Sequence, residues 1–150
     1  MRSSIIGRRL ADAAMVALCG ALGSGAAPAL KRIVLECNRI GDEGLRHLSN
    51  ALARGAAPAL DFLVLERNKI GDEGAQAIAK GFTEHQALLD LVLHDNVITD
   101  IGATAIGEAF EINRQLAKIE LQGNKIHNEG VVAIAKGLMN YHSKVGTSSG

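Results

Sequence analysis

The apolar positions along this chain recur in a fixed order. Residues 30–44 read LKRIVLECNRIGDEG, 60–74 read LDFLVLERNKIGDEG, 88–102 read LLDLVLHDNVITDIG and 116–130 read LAKIELQGNKIHNEG. Asn38, Asn68, Asn96 and Asn124 mark the copies and stand 30, 28 and 28 residues apart, so one supersecondary unit is repeated. Thirty residues before Asn38, the stretch IIGRRLADAA keeps Ile5, Leu10 and Asp12 in their columns and puts Arg8 in place of the asparagine. That is a fifth, decayed copy.

Each period has two halves. The first, as in Ile33-Val34-Leu35, is short, β-branched and flanked by polar residues, and predicts a strand. The second carries apolar pairs four residues apart: Leu48 and Leu52, Ile78 and Phe82, Ile106 and Phe110, Ile134 and Leu138. That spacing predicts a helix with one buried face, the last helix spanning about 129–141. Asp42, Asp72, Asp100 and Asn128 share the column just before each helix, with Asp12 in the decayed copy, and are expected to be N-caps. The Gly-Ala-Ala-Pro runs at 25–28 and 55–58 predict helix ends, glycine taking the left-handed position and proline blocking continuation.

A strand, a turn, a helix and a return, repeated, predict an α/β fold: a parallel sheet with one layer of helices. Neighbouring strands lie about 4.8 Å apart, whereas packed helices need about 8–10 Å. The stack must therefore bend into a horseshoe, a right-handed β-α superhelix of about five repeats with strands concave and helices convex. The repeats fill residues 1–141, and 142–150 reads as a flexible tail whose last five residues look vector-derived.

The pattern LxxLxLxxNxIGDEG, with a full helix per period, resembles the ribonuclease-inhibitor class of leucine-rich repeats. That class includes the repeat domains of NOD-like receptors, Ran GTPase-activating proteins and tropomodulins. The resemblance covers roughly residues 3–141. It implies that the asparagine column sits in the turn after each strand and bridges backbone groups of adjacent repeats. Asn has the donor and acceptor for that task and Arg8 does not, so the ladder should end at Asn38. The resemblance is specific for the scaffold and says little about function.

Composition narrows the classes. Hydrophobic residues make up 47% and aromatics 3%, so the core is aliphatic. Sixteen basic residues balance sixteen acidic ones, which argues against a nucleic-acid or anionic-membrane surface. No apolar run is long enough to span a bilayer, and the stretch 11–22 is interrupted by Asp12 and Gly20, a poor match to a secretory signal. Cys19 and Cys37 form no metal-ligand spacing and read as free thiols of a cytoplasmic protein, Cys37 as a small apolar filler in the turn. The acid pairs Asp42/Glu43 and Asp72/Glu73 fall where capping and the helix dipole favour acids. The glycines of residues 20–25 close a helix and lack the Lys-Ser/Thr of a phosphate loop. Among the histidines, His94 alone falls on the concave face as a candidate contact. No enzyme activity, metal or cofactor is expected.

Function is expected where the copies disagree. With Ile33 and Leu35 pointing into the core, Arg32, Val34 and Glu36 point into the concavity, followed by Phe62, Val64, Glu66 and Arg67, by Asp90, Val92, His94 and Asp95, and by Lys118, Glu120 and Gln122. Val34, Val64 and Val92 form an apolar stripe beside the rim of Glu36 and Glu66, which suits a partner helix or strand carrying basic residues. The expectation is a protein-interaction scaffold of unknown partner. Class analogy offers a second reading: a regulator of a small GTPase or an actin-capping protein. Neither end carries an obvious polar cap, so the chain is expected to be cut from a longer protein or to cover an end with another chain, for example as a homodimer.

Overall fold

The computed structural model describes residues 4–7 and 10–146. Arg8, where the asparagine column decays, and residues 147–150 of the expected tail lie outside the described residues. Strands β1 (Ser4–Ile6), β2 (Arg32–Val34), β3 (Phe62–Val64), β4 (Asp90–Val92) and β5 (Lys118–Glu120) alternate with helices α1 (Asp12–Gly23), α2 (Asp42–Ala53), α3 (Asp72–Glu84), α4 (Asp100–Phe110) and α5 (Asn128–Gly146). The sheet is parallel and runs β1-β2-β3-β4-β5 in chain order. Equivalent positions pair: Ile5 with Ile33, Ile33 with Leu63, Leu63 with Leu91 and Leu91 with Ile119. The expected repeat architecture is the observed one. The final helix is longer than expected, continuing to Gly146 past Tyr141.

The core is a set of columns. Ile33, Leu63 and Leu91 from the strands, Leu35, Leu65 and Leu93 just after them, Ile40, Ile70 and Ile98 from the turns, and Leu48, Ile78 and Ile106 from the helices are fully buried. Each such aliphatic side chain contributes about 1.5–3 kcal/mol on burial. Phe82 and Phe110 stack along the helix layer with centroids 6.4 Å apart.

Two polar ladders lock neighbouring repeats. Asn68 donates through Nδ2 to the carbonyls of Leu35 (2.8 Å), Leu65 (3.0 Å) and Glu66 (3.2 Å), while its Oδ1 accepts from the Ile40 amide at 3.0 Å. Asn96 and Asn124 repeat the pattern one and two units on. Asn38 closes the series, accepting from the Leu10 amide at 2.7 Å and donating to the Gly7 carbonyl at 3.2 Å. The side chain is thus satisfied in a turn whose backbone would otherwise be stranded.

The second ladder corrects the expected role of the aspartate column. Asp42, Asp72 and Asp100 are the first residues of their helices, and the N-cap positions are Gly41, Gly71 and Thr99. Each aspartate caps the helix of the next repeat instead. Asp42 Oδ1 accepts from the amides of Gly71 (2.7 Å) and Gly74 (2.9 Å), which are the N-cap and third residues of α3. Asp72 does the same for Thr99 and Gly102, and Asp100 for His127 and Gly130. The column therefore supplies the carboxylate that helix starts need, but supplies it one repeat downstream. Room for it comes from the closing glycine of the motif. A Cβ on Gly74 would lie 2.5 Å from Asp42 Oδ1, and one on Gly102 2.8 Å from Asp72 Oδ1.

Candidate functional site

The sheet register sets the predicted surface residues in four rows. Arg32, Phe62, Asp90 and Lys118 are mutual partners across the strands, as are Val34, Val64, Val92 and Glu120. The third row, Glu36, Glu66, His94 and Gln122, follows two residues later along each repeat. A fourth row is set by the backbone. Cys37 (φ 56°), Arg67 (φ 53°), Asp95 (φ 52°) and Gly123 (φ 71°) all adopt the left-handed conformation, immediately before the ladder asparagine. That conformation costs an L-residue about 1–2 kcal/mol. Gly123 is the one hint of it in the sequence.

Several of these side chains meet. The Arg32 guanidinium lies over the Phe62 ring, 4.0 Å from its centroid, a cation–π contact across adjacent strands. His94 Nε2 stands 2.6 Å from a Glu120 carboxylate oxygen and 3.9 Å from Glu66, and Lys118 closes on the other oxygen of Glu120. The Lys118 ammonium bonded to Glu120 holds that carboxyl below its usual range, with His94 adding to the effect. Glu120 pushes Lys118 up in return. Arg67 pairs with Asp95 at 3.6 Å, and its guanidinium is pushed up first by a hydrogen bond to Cys37 and then by Glu66 and Asp95. The surface alternates sign over short distances: Arg32, Arg67 and Lys118 sit among Glu36, Glu66, Asp90, Asp95 and Glu120.

Two expectations fail at this surface. The valine stripe is not open: Val64 and Val92 are only 8% and 7% exposed, and Val34 is half-buried. Parallel strands about 4.8 Å apart bring the longer side chains of the flanking rows over the short valines. The accessible groups are therefore the charged and aromatic ones, with Phe62 half-buried among them. Cys37 is exposed instead of filling the turn, because the left-handed backbone turns it outward. Cys19 is the half-buried thiol, and burial pushes it up to about 11.

Other features were not visible in the sequence. A cavity of about 650 Å³ opens between the C-terminal ends of α1 and α2, lined by Cys19, His47, Asn50, Arg54 and the two Gly-Ala-Ala-Pro loops. It lies where the period is two residues longer, against the two longer connections. His85 is buried, its Nε2 3.0 Å from the Ala57 carbonyl, and serves the core. Among the described residues no group of three or more His, Cys, Asp or Glu is placed to hold a metal ion, and no helix is long and apolar enough to cross a membrane.

Comparison with known proteins bears on this geometry. A family model described as Leucine Rich repeat matches residues 28–49, 60–79, 85–107 and 113–135, together more than half of the chain. No curated protein sequence matches the chain. Among solved structures, the chain is similar to the one described as Leiomodin-1 Actin-Binding Site 2, with a TM-score of 0.75 at 18% identity, over 95% of this chain and 82% of that one. An internalin (inlF) from Listeria monocytogenes matches over 77% of this chain and 41% of its own length at 17% identity, with a TM-score of 0.37. The four matched segments follow the strand-and-helix units of the fold, and the chain belongs to the leucine-rich repeat family.

Proposed function

We propose that this chain is a non-catalytic protein-interaction scaffold that takes a partner segment on the concave strand face. The observation that carries the reading is a division of labour within each repeat. Leucines, asparagine and aspartate are fully committed to neighbouring repeats, whereas Arg32, Phe62, Glu66, Arg67, Asp90, His94, Asp95 and Lys118 face outward and differ from copy to copy. Short-range alternation of charge around one aromatic ring suits a protein segment of matched charge better than a polyanion, because each rim charge sets register more than affinity. Zero net charge supports the same choice, and the two free thiols fit a cytoplasmic setting.

Since Val64 is buried, the variant to make is Phe62→Ala combined with Glu66→Lys. Capture from the source cell by the wild-type chain, followed by mass spectrometry, should return a protein that the double variant no longer holds while its Tm stays within a few degrees. Retention of that protein by the variant would exclude this face.

A second reading is a regulatory module that acts on actin or on a small GTPase, and one finding favours the actin form. The similar solved structure is described as an actin-binding site of leiomodin-1. Actin polymerisation followed by fluorescence, with and without the chain, tests it. An unchanged elongation rate and unchanged hydrolysis by added small GTPases leave the plain scaffold.

A further inference from the structure

The far edge of the stack is built differently from the interfaces inside it. In the interior repeats, the helix columns Leu45/Ala75/Ala103 and Leu52/Phe82/Phe110 are buried against the following unit. Their equivalents on α5, Val131 and Leu138, are 58% and 41% exposed. A missing neighbour would account for those two alone. Two further columns change character. The positions occupied by Arg46, Gln76 and Thr104 become Val132, and those occupied by Ala53, Thr83 and Glu111 become Met139, which is 69% exposed. The first repeat already carries Val16 in the column of Val132, 53% exposed with α2 packed on that helix, so a following repeat of the same kind leaves Met139 unexplained: the earlier repeats hold its column with Gly23, Ala53, Thr83 and Glu111.

Val131, Val132, Ala135, Leu138 and Met139 form one apolar stripe on α5, and it is symmetric about Ala135. An identical helix crossing antiparallel at Ala135 sets Val131 against Met139 and Val132 against Leu138, with the small residue at the closest approach. The adjoining strand edge is self-complementary as well. Among the described residues β5 pairs with β4 alone, and its sequence is Lys118-Ile119-Glu120. Antiparallel pairing of two such edges about Ile119 sets each Lys118 opposite a Glu120, the arrangement that cross-strand pairs favour. A single two-fold axis normal to the sheet satisfies both contacts and leaves all helices on the same side.

We propose that two copies of this chain associate through β5 and α5 about such an axis, giving one continuous sheet of doubled length. A head-to-tail stack is the poorer choice. The first repeat carries Arg8 in the asparagine column and cannot continue the ladder that the turn after β5 would require.

Sedimentation equilibrium between roughly 1 and 300 µM, the range in which a standard-size interface of modest quality associates, reads the outcome. The wild-type chain should move from monomer to dimer. Val132→Glu with Met139→Glu should stay monomeric with its circular dichroism and Tm preserved, because interior repeats are polar at the first column and small or polar at the second. Lys118→Glu alone should weaken the dimer at least tenfold. Adding Glu120→Lys to it should restore association, since the swapped edge is again self-complementary. A wild-type chain that is monomeric throughout, a dimer that survives V132E/M139E, or a charge swap that fails to rescue would each overturn the proposal. Capture of a separate leucine-rich repeat by this edge in place of a second copy would overturn it too.

Discussion

Replacing Gly74 by alanine sets two effects of opposite sign against each other. Gly74 is the third residue of α3, inside a helix, where alanine is intrinsically better than glycine by about 1 kcal/mol. Helix propensity alone therefore predicts stabilisation. The packing predicts the reverse. A Cβ there would stand 2.5 Å from Asp42 Oδ1, 3.0 Å from Ile70 Cγ2 and 3.2 Å from Asp42 Cα. The carboxylate must move, and it gives up its bonds to the Gly71 amide at 2.7 Å and the Gly74 amide at 2.9 Å, both charge-assisted. Each such bond contributes about 1.5–3 kcal/mol. Subtracting the propensity gain from the two bonds leaves a net loss of about 2–5 kcal/mol, or a Tm drop of about 4–20 °C for a chain of this size. Two controls isolate the cause. Gly20 is also inside a helix but nothing lies within 4 Å of a Cβ built on it, so Gly20→Ala should raise stability by about 0.5–1 kcal/mol. In an Asp42→Ala background, Gly74→Ala should lose most of its cost, because the two sites are coupled through one contact. Urea titration or calorimetry reads all four variants. A Gly74→Ala variant that melts at or above the wild type would refute the claim that this glycine makes room for the carboxylate of the preceding repeat.

Other outcomes follow from the same geometry. Asn68→Ala strands the carbonyls of Leu35 and Leu65 and the Ile40 amide in a buried turn; it should cost about 3–5 kcal/mol, with faster hydrogen exchange at Ile40. Asn124→Ala, in a more exposed turn, should cost about half as much. Asp72 carries a pH signature. Burial by itself raises its carboxyl, but the hydrogen bonds from the Thr99 hydroxyl and from the Thr99 and Gly102 amides outweigh that and hold it below the usual range. A depressed folded-state value means the contribution is complete above the unfolded value of about 3.9 and is lost as pH falls through the folded value. Urea midpoints measured from pH 5 down to 2 should fall, and should fall less steeply in Asp72→Asn. Thiol labelling at pH 7.5 should modify exposed Cys37 quickly and half-buried Cys19, whose thiol is pushed up to about 11, much more slowly; equal rates would contradict both placements.

The fold was legible because it is periodic. Ile33, Leu63, Leu91 and Ile119 align by position in the repeat and fall into register as strand partners. The asparagine ladder was legible through the resemblance to ribonuclease-inhibitor-class repeats, which an amide that both donates and accepts suits. What escaped was whatever depends on the neighbouring unit. Asp42 looked like the cap of its own helix because capping is normally local, but its acceptors serve amides 29 and 32 residues away. The valines looked exposed because alternation along one strand says nothing about the height of side chains on the next. Cys37, Arg67 and Asp95 gave no sign of a left-handed backbone, since only Gly123 in that column is a residue that prefers it.

The opposed reach of the two ladders governs how the stack comes apart. Each aspartate reaches forward by one unit and each asparagine reaches back, so neither half of an interface can be kept when the other is lost. Breaking one junction leaves a carboxylate and an amide side chain without their partners at the same moment as a leucine column is wetted. Partial opening within a unit is therefore penalised, while removal of a whole unit from an end leaves the rest intact. The chain behaves as a row of coupled switches, each of which costs far more to flip alone than beside one already flipped. Its sub-global openings are shortened stacks of whole units, shed from the ends inward. Hydrogen exchange protection along the chain should rise in plateaus about one period wide, highest around the central repeats.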